Sequence, residues 1–488
     1  MFSNIFSKKN PKQVDEKYVG KHIEKGNERH GQNHSARKSD RVYLDYASIT
    51  PIDPRVLERM SRALLEHPAN PSSLYEEGVE ASRALEESRQ AIATCLESHA
   101  DEVLFTSGGT ESNNLAIQGT LIEWNKREIA ANGLNAAVLD GATVGIITRK
   151  PHVISASIEH PSVRELLLDM RARGYCDVTF LDVDKDGIVD AGQLKKSIRQ
   201  ETAIISIMYA NNEIGTIQPI AEIAKAARIF KKENGRSIFD FPYVHSDACQ
   251  AAPYLSLRMP ALGIDLMTLD GSKIYGPRSV GILYKKRGIK ISPLFAGGSQ
   301  EQEIRPGTEN VSGAAGFALA LEICAETRVR ESLRLAKLRD QLLYEIQKEI
   351  QGVEINGAYT LYKQIGEGVT HGHGVGSHTD SANTDSDGGQ VRESDRHAKR
   401  LPNNISICLT GMDAEFAVLK LDVRGVCVSS VTSCRTKNED SSSYVIEALG
   451  KAECAKSTLR ITLGRFTREE DMKKASRSVI EVLKSFSA

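Results

Sequence analysis

Apolar residues gather in seven short runs, at 103–105, 152–156, 178–181, 203–208, 243–245, 266–269 and 281–284. Each is too short for a buried helix and mostly lacks the polar alternation of a half-exposed strand, so the runs read as strands covered on both faces. The stretches 111–125, 161–173 and 221–232 between them carry apolar residues at helical spacing. Upstream, 42–46 alternates as a strand does, Pro54 opens a helix to about 66, and a longer helical pattern covers 76–96. This alternation predicts an α/β fold whose large domain is built on a mainly parallel seven-stranded sheet. Past 310 the pattern changes. A long helix over 312–349 leads to strands at 353–356, 404–409 and 458–463 and helices at 414–421 and 469–486, a smaller α+β C-terminal domain. The expected division is a large domain over 41–310, with 41–54 free to pack on the small one, and a small domain over 311–488.

Two segments stand outside this pattern. Residues 1–40 are polar and basic, with Asp15, Glu16, Glu24 and Glu28 interleaved among the lysines. Transit peptides are acid-poor, so a disordered tail is the better reading, with a short amphipathic anchor at Met1–Phe6 as the alternative. About 362–400 is rich in Gly, His, Ser, Thr and Asp and holds almost no large apolar residue, so it cannot offset its ordering entropy and reads as a disordered surface insertion. Its His371, His373, His378 and His397 offer weak metal ligands, but a solvated loop is the stronger reading.

At 488 residues, 40% hydrophobic and 26% charged, the chain has the composition of a globular protein. A net charge of −1 excludes a globally basic nucleic-acid binder, and no apolar run approaches membrane length. The expectation is a cytoplasmic protein with no direct nucleic-acid or membrane partner. Its eight cysteines form no CxxC pair or zinc-like cluster, so a disulfide framework is not expected and most read as core thiols in a reducing compartment. The acidic run Asp182, Asp184, Asp186, Gly187 and Asp190 mimics a calcium loop. Gln193 stands where a bidentate Glu belongs, and the flanks read as a strand and a turn, so an Asp-Gly turn is the reading.

The strongest chemical signal is Asp270-Gly271-Ser272-Lys273-Ile274-Tyr275-Gly276-Pro277. It sets a lysine at the carboxyl end of a buried strand, where open α/β sheets bind ligands and a desolvated amine becomes available for Schiff-base chemistry. Thr106-Ser107-Gly108-Gly109-Thr110 joins a strand to a helix N-terminus, which suits a phosphate. Asp247, ending another strand, suits a protonated ring nitrogen, although taken alone a helix cap is the better reading.

Taken with Tyr43–Ala47, Asn70-Pro71-Ser72-Ser73, Glu159-His160, Asn211–Gly215, Gln250, Arg305–Asn310 and Arg460 with Leu463–Phe466, these motifs make the chain resemble the cysteine desulfurases of the class V aminotransferase family, from Tyr43 to about Thr467. The resemblance implies the fold type I of pyridoxal 5'-phosphate enzymes, a sulfurtransferase activity and a homodimer. It implies that Lys273 carries the cofactor and moves the substrate α-proton, and that His160 stacks on the ring. Asp247 would pair with the ring nitrogen and Gln250 with its phenolic oxygen. Gly109, Thr110, Ser272 and the neighbouring subunit's Thr308 would hold the phosphate. Asn212 would sit beside the ring, and Arg460 would grip the substrate carboxylate with Asn70 nearby. Cys434, flanked by small polar residues and by Arg435 and Lys437, would take the sulfur of L-cysteine as a persulfide, releasing L-alanine. Iron–sulfur scaffold proteins or transfer-RNA thiolation proteins would accept it.

The chain departs from that pattern at Asp270, where a hydroxyl is usual, at Ser272, where a histidine is, and at Val431-Thr432-Ser433 before the cysteine. A carboxylate facing a phosphate is repelled, so Asp270 is expected to turn away and bond backbone or a cation. Selenocysteine lyase, or a catalytically impaired paralogue serving as a sulfur-transfer scaffold, are the alternatives.

Overall fold

The computed structural model describes residues 41–131, 137–139, 142–144, 149–359, 399–430 and 442–486. The tail 1–40, nearly all of the insertion with its four histidines, and Cys434 with Arg435 and Lys437 lie outside them.

In chain order the strands are β1 (Val42–Tyr43), β2 (Val103–Thr106), the hairpin β3 (Ala137–Leu139) and β4 (Ala142–Val144), β5 (His152–Ala156), β6 (Asp177–Leu181), β7 (Thr202–Ser206), β8 (Tyr243–Asp247), β9 (Leu266–Asp270), β10 (Gly281–Lys285), β11 (Glu354–Ile355), β12 (Asn404–Cys408), β13 (Val426–Cys427), β14 (Ser429–Ser430) and β15 (Thr458–Thr462). Seven of them form the main sheet in the order β2-β10-β9-β8-β7-β5-β6. Only β10 runs antiparallel to its neighbours. The strands read as unbroken apolar runs because their successive side chains feed two different cores. Leu104, Val153, Ile204, Leu266 and Leu283 enter one buried cluster. Their neighbours Phe105, Ile154, Ile205, Met267 and Ile282 enter the other, which continues through Phe317 and Leu342 to Ile405 and Leu459 of the second sheet.

That second sheet is antiparallel, in the order β11-β12-β15-β14. The 39-residue helix Val311–Glu349 joins the two sheets, its start capped by the Asn310 side chain on the Gly313 N–H. The N-terminal strand does not join the main sheet. β1 pairs in parallel with β13, Val42 opposite Val426, and Asp45 bridges to Thr462. The chain then crosses back toward Lys273, so 42–50 ties the two sheets together. Where the insertion ends, Lys399 and Arg400 are already part of the fold: the Lys399 carbonyl accepts the Ile217 N–H, and the buried Arg400 guanidinium donates to the Ile214 carbonyl.

Two local expectations change. Cys408 and Cys454 form a disulfide where none was expected, because β12 and the turn before β15 bring their Cα atoms to 5.5 Å. After the acidic run comes a helix, Ala191–Ser197, which Asp190 caps through the Gly192 N–H. The Asp-Gly turn itself is present, with Asp184 accepting the Asp186 and Ile188 N–H groups.

Candidate active site

Lys273 follows β9 in a single tight turn, and that turn is held from outside. The Ser272 carbonyl accepts both the N–H and the hydroxyl of Thr50, whose Oγ1 in turn accepts the Tyr275 N–H. Tyr275 adopts φ 63°, a left-handed conformation that costs a non-glycine residue about 1–3 kcal/mol. Its N–H and carbonyl are both occupied and its ring lies under Arg465, so the surroundings fix the turn.

The Lys273 amine donates to the carbonyls of Ala47, at 3.2 Å, and Ser48. Gln250 reaches the same Ala47 carbonyl at 2.8 Å. Arg460, on β15, arrives from the other sheet. Its Nη2 donates to the Asp45 carboxylate at 2.9 Å and to the Ser48 hydroxyl at 2.7 Å, and its Nη1 to the Asn212 carbonyl at 3.2 Å. Nε of Arg460 is buried with no partner among the described residues, so the guanidinium keeps a donor for an anion. Segment 45–48 is therefore the hub on which the lysine, Gln250 and the arginine converge.

A second network lies at the ends of β5 and β8. Asp247 is buried, and its carboxylate accepts the Cys249 N–H at 3.0 Å and the Asn113 amide at 2.7 Å. Asn113 also donates to the Ser162 hydroxyl, which lies 2.8 Å from His160 Nδ1. The Ser162 N–H donates to that same Nδ1 at 3.2 Å. Nδ1 is thus an acceptor, and the neutral ring carries its proton on Nε2. Burial keeps the imidazole below its ordinary range, with Asp247 and Asp270 pulling it up and Lys273 pushing it down.

The glycine turn after β2 needs its glycines. Gly108 has φ 141°, and a Cβ on the facing Gly281 would stand 2.6 Å from the Gly108 Cα. Asp270 does not turn away from this turn. Its Oδ2 accepts the Gly109 N–H at 2.9 Å and its Oδ1 the Ser272 N–H at 2.7 Å. It bonds backbone, as expected, but the donors it finds are those of the glycine turn and of its own strand end, so it stays beside the turn. Thr110 and Thr308 are exposed, and Asn70 is exposed with its side chain closing its own turn on the Ser72 N–H. None of these three is drawn into the two networks. Asp45, Ser48 and Asn113 are parts of the site that carried no assigned role in the sequence; only Asn113, four residues into the helix from Gly109 on its inner face, left a signal.

These residues fit a pyridoxal phosphate. A buried carboxylate held by neutral donors suits a protonated ring nitrogen, a lysine and an imidazole stand with it, and the glycine turn offers N–H groups to a phosphate. Asp270 is the one group of the wrong charge. Cys434 lies outside the described residues, but β14 ends four residues before it with Ser429 paired to Arg460. The described cysteine beside the site, Cys249, is buried, and burial pushes its thiol well above the ordinary range, which disfavours the reactive thiolate.

A family model described as aminotransferase class-V matches residues 42–132 and 130–366. A cysteine desulfurase IscS of Dictyoglomus turgidum is 35% identical over 88% of this chain and 91% of its own length. One of Archaeoglobus fulgidus is 34% identical over 91% and 98%. A solved NifS-like protein superposes with a TM-score of 0.72 at 28% identity, covering 91% of this chain and all of that one.

Proposed function

The chain belongs to the class V aminotransferase family and is a cysteine desulfurase, and on that premise we propose that Lys273 carries pyridoxal 5'-phosphate and that Cys434 receives the sulfur. The observation that carries the assignment is the convergence of Lys273 and Arg460 on Ser48, which brings an amine and a carboxylate receptor to one point. When bound, the cofactor supplies an electron sink that makes the α-proton of cysteine acidic. Arg460 takes the substrate carboxylate through its unpartnered Nε and a neighbouring nitrogen. The Lys273 amine moves the α-proton, and the His160 ring, protonated on Nε2, passes a proton in the same step sequence. Asp247 holds the ring nitrogen, Gln250 the phenolic oxygen, and Gly109, Thr110 and Ser272 the phosphate. The Cys434 thiolate attacks the substrate sulfur: its S–S bond forms as the Cβ–S bond breaks, and the freed carbon takes up a proton to leave as alanine. Atoms balance as cysteine plus thiol giving alanine plus persulfide.

A homodimer is part of the proposal. Thr308 is exposed, and Leu65, at the end of the helix Pro54–Glu66, with Leu74 and Tyr75, just before the helix Glu76–Leu96, leaves apolar surface uncovered, Leu74 at 96%. Iron–sulfur scaffold or transfer-RNA thiolation proteins are the proposed acceptors. A cytoplasmic setting is supported by five free cysteines among the described residues, while the Cys408–Cys454 bridge speaks for a more oxidising one. Among the described residues no helix is long and apolar enough to cross a membrane.

The test is to feed the purified protein L-cysteine, measure alanine, and weigh the Cys434 peptide by mass spectrometry. One added sulfur on that peptide is expected, with no alanine from Lys273→Ala. Alanine formed at the wild-type rate by Cys434→Ala would refute the persulfide step.

A further inference from the structure

We propose that Asp270 sets the affinity of this site for the phosphate of its cofactor, by holding the phosphate's own donors until it is displaced. The inference rests on the reading that Lys273 and the glycine turn bind pyridoxal phosphate. Asp270 ends β9 and stands opposite Gly281 in the sheet, beside the turn after β2. Its two oxygens take two backbone N–H groups of the cradle, Gly109 at 2.9 Å and Ser272 at 2.7 Å. A Cβ placed on either Gly108 or Gly109 would meet Oδ2 at 3.3 Å, so the carboxylate lies against the turn itself. No ion pair reaches it among the described residues: the Lys273 amine points its hydrogen bonds at the Ala47 and Ser48 carbonyls instead.

An anion entering this cradle meets a resident anion on the same donors. A phosphate must break the Gly109 contact and stand beside an unneutralised carboxylate, which like-charge repulsion opposes in a partly buried setting. A pyridoxal without its phosphate has no such conflict. Asp270 therefore discriminates against the phosphate group specifically and leaves the ring and aldehyde contacts untouched. The enzyme would fill with cofactor only where the cofactor is abundant, and its occupancy would follow supply.

The experiment uses the full-length protein stripped of cofactor with hydroxylamine. Wild type, Asp270→Ser, Asp270→Asn and Lys273→Ala are titrated with pyridoxal phosphate and with pyridoxal, reading the visible absorbance that borohydride abolishes. Asp270→Ser is expected to bind pyridoxal phosphate at least tenfold more tightly than wild type and pyridoxal within twofold of it, with Asp270→Asn tightening in the same direction. Inorganic phosphate alone should raise the melting temperature of Asp270→Ser more than that of wild type, a readout independent of Lys273. Unchanged or weaker phosphate-cofactor binding by Asp270→Ser overturns the proposal, as does equal tightening toward both ligands. If no variant develops a Lys273-dependent absorbance, the cofactor reading fails; the phosphate melting arm then separately decides whether Asp270 guards the cradle.

Discussion

Lys273 and Arg460 meet on one residue: the lysine amine donates to the Ser48 carbonyl, and the arginine Nη2 to the Ser48 hydroxyl at 2.7 Å. The two groups come from different sheets, and the serine between them fixes how far apart an amino acid's amine and carboxylate are received. Arg460→Lys keeps the charge and loses the fork, so the KM for cysteine should rise about tenfold. Ser48→Ala should raise it by a smaller factor, about threefold, with kcat within twofold. Steady-state alanine formation measures both; an unchanged KM in Arg460→Lys would remove Arg460 as the carboxylate receptor.

Asn113 joins Asp247 to Ser162, and through Ser162 it fixes the His160 proton on Nε2. It touches no reacting atom in this arrangement and acts as a positioning residue. Asn113→Ala is expected to lower kcat about fivefold with little change in KM, and to shift the acid limb of the kcat pH profile, because His160 loses the relay that orders its ring. A loss seen only in thermal stability would point to a purely structural role.

Two buried histidines make the fold acid-sensitive. His152 lies between Thr202 and Thr179, and His245 between Ser206 and Thr268. Burial lowers each to about 4, against about 6.5 in an unfolded chain. Between those values the unfolded chain binds more protons, so stability is complete above pH 6.5 and falls as the pH drops toward 4. At pH 5 each ring is worth a loss of about 2 kcal/mol. Urea unfolding at the two ends of this range should show the drop, and His245→Asn should shrink it by about half; a pH-independent midpoint would contradict it.

Arg89 and Glu301 form a buried ion pair. Both guanidinium nitrogens meet the carboxylate at 2.8 Å, and Glu301 also accepts the Phe105 N–H of β2. Arg89→Ala strands that carboxylate in the interior and should cost about 3–5 kcal/mol. The double variant Arg89→Met with Glu301→Leu should recover at least half of it in denaturant unfolding. Additive losses would show that the pair is not coupled.

The main sheet was readable because its strands are buried on both faces, which writes them as unbroken apolar runs such as 203–208. Lys273 and Asp247 were readable because each ends such a run. Ser48 and Asp45 were not: nothing local marks them, and their roles exist only once Arg460, from the far end of the chain, lies against them. The assignment of Cys434 came from resemblance, since a thiol among small polar residues has no distinctive local physics. Asp270 shows the limit of a charge argument made without donors in view. Repulsion from a phosphate is real, yet the N–H groups of Gly109 and Ser272 decide where the side chain rests.

The pairing of Val42 with Val426, and of the segment after it with β15, bears on how this enzyme is made. On the ribosome the first strand emerges long before either partner, and it stays a loose end while the main sheet assembles behind it. Arg460 reaches Asp45 and Ser48 only after β15 has left the tunnel. A chain that stops before β15 lacks both Arg460 and the Thr462 partner of Asp45, so neither the hub at 45–48 nor the grip on an amino acid's carboxylate is in place, and sulfur chemistry waits for the last strand.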